Sequence, residues 1–177
     1  MPTAVTHILV PLFIIALIRD LYLKTKRFSL HYVLIAGIGG AIPDLDILIY
    51  IIIKPLWYTF EQIHRHWLHS IFVPIVLIIL ALIFTVIKTK QIGRQKLKLN
   101  IIFLMLAFGI FTHIVLDGLI QGEIYPLSPI FDYKFGLNAV SYLPEYLQGI
   151  SIPLFEGILL LLWLIYLEWK HKISDFI

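Results

Sequence analysis

Apolar residues in this chain fall in long unbroken runs, not in alternation and not in the one-sided stripe of a soluble helix. A bilayer core about 30 Å thick needs roughly 20 apolar residues as helix. Five runs approach that length: about Thr6 to Leu23, Leu30 to Ile53, Ser70 to Ile87, Leu99 to Ile120 and Ile150 to Leu167. The second is interrupted by Pro43-Asp44-Leu45-Asp46. The pattern predicts an all-α, polytopic membrane helix bundle of about five spans, one of them broken at that Pro-Asp step. Residues 121–149 are mixed, rich in Pro, Tyr and Gly, and too polar to span. No repeat, low-complexity tract or linker divides the chain, so residues 1–177 are expected to form a single integral membrane domain. The first run has no positive flank before it and no small-residue cleavage site, and therefore reads as a retained span.

Composition strengthens this reading. The chain is 60% hydrophobic and 14% charged, against roughly 45–50% and 25% in soluble domains. A soluble domain this short could not hide so much apolar surface. Soluble, disordered and fibrous classes are excluded. There is no cysteine, which removes disulfides, thiolate nucleophiles and cysteine-type metal sites together.

The net charge of +3 is placed, not spread. The loop after the first run holds three Lys or Arg, the Lys88–Lys98 loop five, and the tail two. The opposite side has Lys54, Arg65 and Lys134, and Arg19 lies inside the first run. By the positive-inside rule the chain starts outside, crosses five times and ends in the cytoplasm. Lys88 to Lys98 is then a topology signal meeting anionic lipid, and no nucleic-acid partner is expected. Trp57, Tyr58, Trp67, Trp163 and Trp169 fall near the proposed interfaces, where aromatic belts are expected.

On that topology the histidines and acids collect at one face. His7 opens the first span, and Asp44 and Asp46 lie towards the outer end of the second. His64, His66 and His69 precede the third, and His113 and Asp117 lie in the outer third of the fourth. A carboxylate near mid-span costs about 2.5–3.5 kcal/mol, less towards the interface. Arg65 alone cannot compensate Asp44, Asp46 and Asp117, whereas a divalent cation can. His113 and Asp117, four apart, share a helix face. Pro43 opens the helix where Asp44 begins, which lets Asp44 and Asp46 point into one site. The preceding Ala36-Gly37-Ile38-Gly39-Gly40-Ala41 suits close helix packing. Ser70 is placed to cap the third span. Imidazole and carboxylate together suit zinc, and also manganese or iron, and the number of ligands leaves room for more than one ion. Neighbouring metals suit phosphoester hydrolysis by activating water and holding both reacting oxygens. Arg65 could clamp a phosphate or simply snorkel to headgroups.

Other residues invite plainer readings. His66 fits a ligand role less well than His64 and His69. His31 and His171 are expected to be solvated or headgroup-facing. Glu156, inside the last span, suits a helix–helix hydrogen bond, with support of the metal site as the alternative.

Thr6-His7, Pro43-Asp44-Leu45-Asp46, His64-Arg65-His66-Trp67-Leu68-His69-Ser70 and His113-Ile114-Val115-Leu116-Asp117 occur in that order. Together they resemble the signature of the YdjM-like family of membrane-bound metal-dependent hydrolases. That family is in turn distantly similar to the zinc-dependent phospholipase C and P1 nuclease group. The resemblance implies a metal site built from His7, Asp44, Asp46, His64, His69, His113 and Asp117. Tyr125-Pro126-Leu127-Ser128-Pro129 resembles the family's proline-containing segment after the fourth span and is a candidate lid. This chain has Ile120 where the family commonly has Thr.

The function expected is a membrane-embedded hydrolase of a lipid or lipid-linked phosphoester at the extracytoplasmic face, with membrane lipid as partner. Asp44 is the candidate to orient the attacking water and Arg65 to bind phosphate. The alternatives are a metal-ion transporter and a structural protein stapled by metal. The cytoplasmic halves of the spans, almost purely apolar apart from Arg19, argue against a transport path.

Overall fold

The computed structural model of the chain describes residues 3–23, 28–53, 68–87, 90–120 and 122–176. Six α-helices appear among them: α1 (Ala4–Leu21), α2 (Leu30–Ala41), α3 (Asp46–Ile53), α4 (Phe72–Val86), α5 (Leu99–Ile120) and α6 (Glu145–His171). Short 3-10 turns occupy Pro43–Leu45, Ala139–Tyr142 and Ile173–Phe176. Extended pairing among the described residues is limited to isolated bridges, Ile92 with Leu97 and Ile124 with Phe135.

The helix ends follow from local chemistry. Thr3 opens α1, its hydroxyl accepting the Val5 N–H at 3.3 Å, and Ser29 does the same for α2 through His31 N–H. Each satisfies one of the donors that a helix start leaves orphaned. α2 stops at Ala41 because Pro43 has no N–H to continue the ladder. A 3-10 turn follows, and the axis resumes in α3 bent by 47°. The Ser70 hydroxyl accepts the Phe72 N–H at 3.3 Å, but from one residue before the N-cap: the helix begins one residue later than expected, with Ile71 at the N-cap and no side-chain cap there.

α1, α5 and α6 are long and apolar enough to cross a bilayer, and α2 with the segment after its bend makes a fourth candidate crossing. The third expected span is shorter than the sequence pattern suggests: α4 has 15 residues, roughly 22 Å at 1.5 Å per residue. The apolar run reaches back to Ser70, but residues 68–71 form a turn, and that turn delivers His69 inward. Three to four spans, not five of full length, meet the requirement among the described residues.

α5 is the hub and packs against α1, α2 and α4, while α6 rests on α1. Glycines allow this closeness. A Cβ on Gly40 of α2 would lie 1.9 Å from the His7 carbonyl oxygen of α1, and one on Gly109 of α5 would lie 2.2 Å from the Ala36 carbonyl oxygen. The small-residue run acts as the sequence predicted, by letting backbones touch. Beneath it Ile15, Ala16, Tyr32, Val33, Ala36, Met105 and Tyr166 form an apolar core.

At the end of the bundle where α1 and α6 finish, Asp20 is buried in a polar knot. Its carboxylate accepts from Arg19 at 2.6 Å and from the Tyr166 hydroxyl at 2.5 Å, with His171 Nε2 at 3.1 Å. Arg19 Nε also donates to the Phe28 carbonyl. His171 keeps 35% of its side chain exposed, in line with expectation, and also pairs with Asp20, because α6 is long enough to bring its last turn beside the end of α1. His31 is exposed, as expected.

Candidate metal centre

Four separate pieces of chain meet at the opposite end. α1 brings His7, the Pro43 break brings Asp44 and Asp46, the turn before α4 brings His69, and α5 brings His113 and Asp117. His7, Asp46, His69, His113 and Asp117 are buried. The Asp44 side chain is 27% exposed, which makes it the open edge of the group.

His113 shows how the centre is organised. Its Nδ1 lies 2.7 Å from the Gly40 carbonyl oxygen. A carbonyl can only accept, so Nδ1 carries the proton and Nε2 presents its lone pair. That Nε2 faces His69 Nε2 at 3.1 Å, Asp117 Oδ2 at 3.5 Å and Asp44 Oδ1 at 3.6 Å. His69 Nε2 and Asp117 Oδ2 are themselves 3.5 Å apart. The three atoms thus form a nearly regular triangle. Two ligands each about 2.0–2.1 Å from a tetrahedral ion lie roughly 3.4 Å apart, so the triangle has the dimensions of one face of a metal tetrahedron.

A second group, His7, Asp44 and His113, also has ligand atoms within 4.8 Å of one another. His7 Nε2 sits 3.2 Å from Asp117 Oδ1, and its ring stacks on His113 with centroids 3.7 Å apart. Asp117 therefore offers one oxygen to each side. Among the described residues, both its oxygens and His7 Nδ1 are buried without a well-directed hydrogen bond, an arrangement costing about 1–3 kcal/mol per group unless something else satisfies them. Lone pairs facing carboxylate oxygens, without a permanent cation near them among the described residues, suit a bound cation. The donor set fits one, so these residues could hold a metal ion.

Asp46 occupies a different place from that expected. Its Oδ2 lies 3.3 Å from His69 Nδ1, on the far side of that ring from the triangle. A carboxylate behind a metal-facing histidine fixes its tautomer and raises its basicity. Burial holds the His69 imidazole below its ordinary value, which favours the neutral form that binds metal. His64, Arg65 and His66 lie outside the described residues. The candidate lid 125–129 is docked on the turn that carries His69, with Ile71 N–H donating to the Pro126 carbonyl at 2.9 Å and the Ser70 hydroxyl at 3.4 Å.

One feature was missed from the sequence. The Gly40 carbonyl acts through its backbone and leaves no side-chain signal. Glu156 accepts from Thr3 N at 2.9 Å, Thr3 Oγ1 at 2.5 Å and Thr6 Oγ1 at 2.9 Å. The helix–helix hydrogen bond expected of it is present, and it anchors the turn of α1 that carries His7. A carboxylate at a helix N-terminus is favoured by the helix dipole as well.

Membrane-length helices closing around a buried His/Asp group define a multi-pass membrane protein with a candidate metal centre. The chain belongs to the YdjM inner membrane protein family, whose model matches residues 1–173. No curated protein and no solved structure matches it.

Proposed function

We propose that this protein is a metal-dependent hydrolase that cleaves a phosphoester of a lipid or lipid-linked substrate at the extracytoplasmic face of the membrane. The observation that carries the reading is the triangle of His69 Nε2, His113 Nε2 and Asp117 Oδ2, with edges of 3.1, 3.5 and 3.5 Å. It lies beside a half-open carboxylate, Asp44. Zinc suits this nitrogen and oxygen set, and manganese or iron also would. His7, Asp44, His69, His113 and Asp117 are the ligand candidates, with Asp46 backing His69 and His64 completing the set expected from the sequence.

A bound divalent cation would supply Lewis acidity for water and neutralise phosphate charge. The chain's own residues supply the rest. Asp44, the exposed member, accepts a hydrogen bond from the attacking water and orients its lone pair at phosphorus. His113, held by Gly40, keeps its Nε2 directed inward. Arg65, outside the described residues, is the candidate expected from the sequence to bind the phosphate, since a guanidinium offers a planar fork to its oxygens. Water adds to phosphorus, the ester P–O bond breaks, and the leaving alcohol takes a proton.

A transport reading fits less well. His7 and Asp20 mark two polar groups roughly 20 Å apart along α1, and the apolar core of Ile15, Ala16, Val33, Ala36 and Met105 lies in the same bundle between them. The orientation, with the centre outside, rests on the Lys and Arg counts.

The test is metal analysis of purified protein followed by hydrolysis assays on lipid phosphates, nucleotides and carboxylic esters. The reading expects bound zinc or a similar ion and turnover of a lipid phosphate, both lost in His113→Ala. Metal-loaded protein inert on the whole panel overturns it. Metal flux into liposomes that disappears in Asp117→Ala would establish transport instead.

A further inference from the structure

The chain that follows α5 does not run away from the bundle. It turns back alongside it: Ile124 is buried in one cluster with Ile110 and Ile114 of α5, and Val73 and Leu77 of α4 pack against the same cluster. Ile114 lies roughly 9 Å back along the axis from the end of α5 at Ile120. Further on, Ser128 and Pro129 line a groove with Phe72, Val73, Val76 and Leu77, so the segment reaches the second turn of α4. α5 has 22 residues, or about 33 Å, close to the hydrocarbon thickness of about 30 Å. Its end therefore marks the edge of the apolar layer, and the returning segment lies inside that edge.

The segment has the chemistry this depth demands. Residues 124–131, Ile-Tyr-Pro-Leu-Ser-Pro-Ile-Phe, carry no charge. Irregular backbone at membrane depth needs its polar groups satisfied by protein. Pro126 and Pro129 have no N–H to satisfy. Ser128 N–H donates to the Tyr125 carbonyl at 3.1 Å, and Ile130 and Phe131 N–H both donate to the Leu127 carbonyl at 3.0 Å. The Pro126 carbonyl accepts from Ile71 N–H and the Ser70 hydroxyl. Ser128 is buried against the protein, whereas Ile130 and Phe131 stand 61% and 63% exposed. Charged residues frame the segment: Glu123 pairs with Lys134 across its neck, both half-exposed, and Asp132 follows Phe131 directly. The insertion they permit is shallow, within the 5–10 Å or so typical of interfacial segments.

We propose that residues 124–131 form a re-entrant segment that dips into the leaflet on the side of the His/Asp centre. Ile130 and Phe131 sit among phospholipid acyl chains, while Glu123, Asp132 and Lys134 stay at the headgroups. Lipid is the partner because the exposed tip continues the apolar outer side of α4, where Val76 and Ile79 are exposed at the same end of the bundle. The inference goes beyond the hydrolase reading and does not depend on it. Its consequence for the centre is positional: the segment is bonded to the turn that carries His69, so that turn is tied to the leaflet and the candidate lid is no free aqueous flap.

The chain has no cysteine, so single-cysteine variants report one position each. Ile130→Cys and Phe131→Cys are compared with Leu161→Cys, exposed on the membrane-length α6, and with Gln95→Cys, exposed in the basic hairpin between α4 and α5. All four are placed in phosphatidylcholine–phosphatidylglycerol nanodiscs, which leave both faces open to reagent. Ile130→Cys and Phe131→Cys are expected to react with a charged maleimide at least tenfold more slowly than Gln95→Cys. Carrying a nitroxide, they are expected to collide more with oxygen than with a water-soluble nickel chelate, as Leu161→Cys does. Reactivity and nickel access like those of Gln95→Cys overturn the proposal, because the tip then lies in water. Low access to both oxygen and nickel also overturns it, because the tip is then covered by protein. Should a variant fail to fold, the unaltered chain is labelled in the same nanodiscs by phospholipid carrying a diazirine high in its acyl chain. Labelling of Ile130 and Phe131 well above that of residues 93–96 upholds the insertion, and labelling no greater than theirs overturns it.

Discussion

Replacing Gly40 by alanine tests the link between helix packing and the centre. The new methyl would lie 1.9 Å from the His7 carbonyl oxygen and 3.0 Å from Pro11 Cγ. Ordinary contacts are about 3.5–4.0 Å, so α1 and α2 have to part by on the order of 1–2 Å. The obstacle is backbone, which cannot rotate aside. Overpacking of this kind costs about 1–3 kcal/mol, offset by up to about 1 kcal/mol of gained helix propensity. The net is about 2 kcal/mol, roughly a thirtyfold change in the folded-to-unfolded ratio. The same displacement carries His7 away from Asp117 and strains the 2.7 Å bond from His113 Nδ1 to the Gly40 carbonyl, so metal affinity falls with stability. Gly157 on α6, where a Cβ meets nothing within 4 Å, is the matched control. Its alanine variant should be neutral or slightly stabilised. Denaturation in detergent micelles, with metal content measured alongside, reads both effects. Gly40→Ala as stable and as metal-rich as Gly157→Ala would refute the packing argument.

Further predictions extend to other parts of the bundle. Chelation should lower thermal stability, by about 2.7 kcal/mol if the ion is present at a hundred times its Kd; an unchanged melting curve would count against a structural contribution from metal. Glu156→Gln should leave the fold intact and weaken metal binding, since Thr3 and Thr6 lose a charged acceptor; metal titration by calorimetry checks it. Tyr166→Phe removes the hydroxyl that donates to Asp20 and should cost about 1 kcal/mol, without altering metal content. Asp46→Asn should weaken the metal site less than Asp117→Ala, because its Oδ2 lies behind His69; metal stoichiometry of the two variants decides.

Much of this was legible in the residues. Hydrocarbon thickness dictates run length, so composition and pattern alone determined a helical membrane protein. Proline's missing donor determined the break at Pro43, and the lack of side chains at Gly39 and Gly40 determined that they could face a neighbouring backbone. The spacing of His113 and Asp117 placed both on one face of α5. Chemistry of this kind is local, and a chain states it directly.

What only tertiary structure decided is which atom of each residue faces which. Asp44 and Asp46 look alike in sequence, yet one sits at the open edge of the centre and the other behind His69, because the 3-10 turn rotates them apart. His171 is part-exposed as its position suggested, but its contact with Asp20 exists only because α6 is long enough to reach it. The α4 helix starts late because residues 68–71 turn inward instead of extending it. Contacts such as Gly40 with His113, or Glu156 with Thr6, join positions 73 and 150 residues apart. No local preference encodes them, since they exist only once packed backbones fix the distance between two helices.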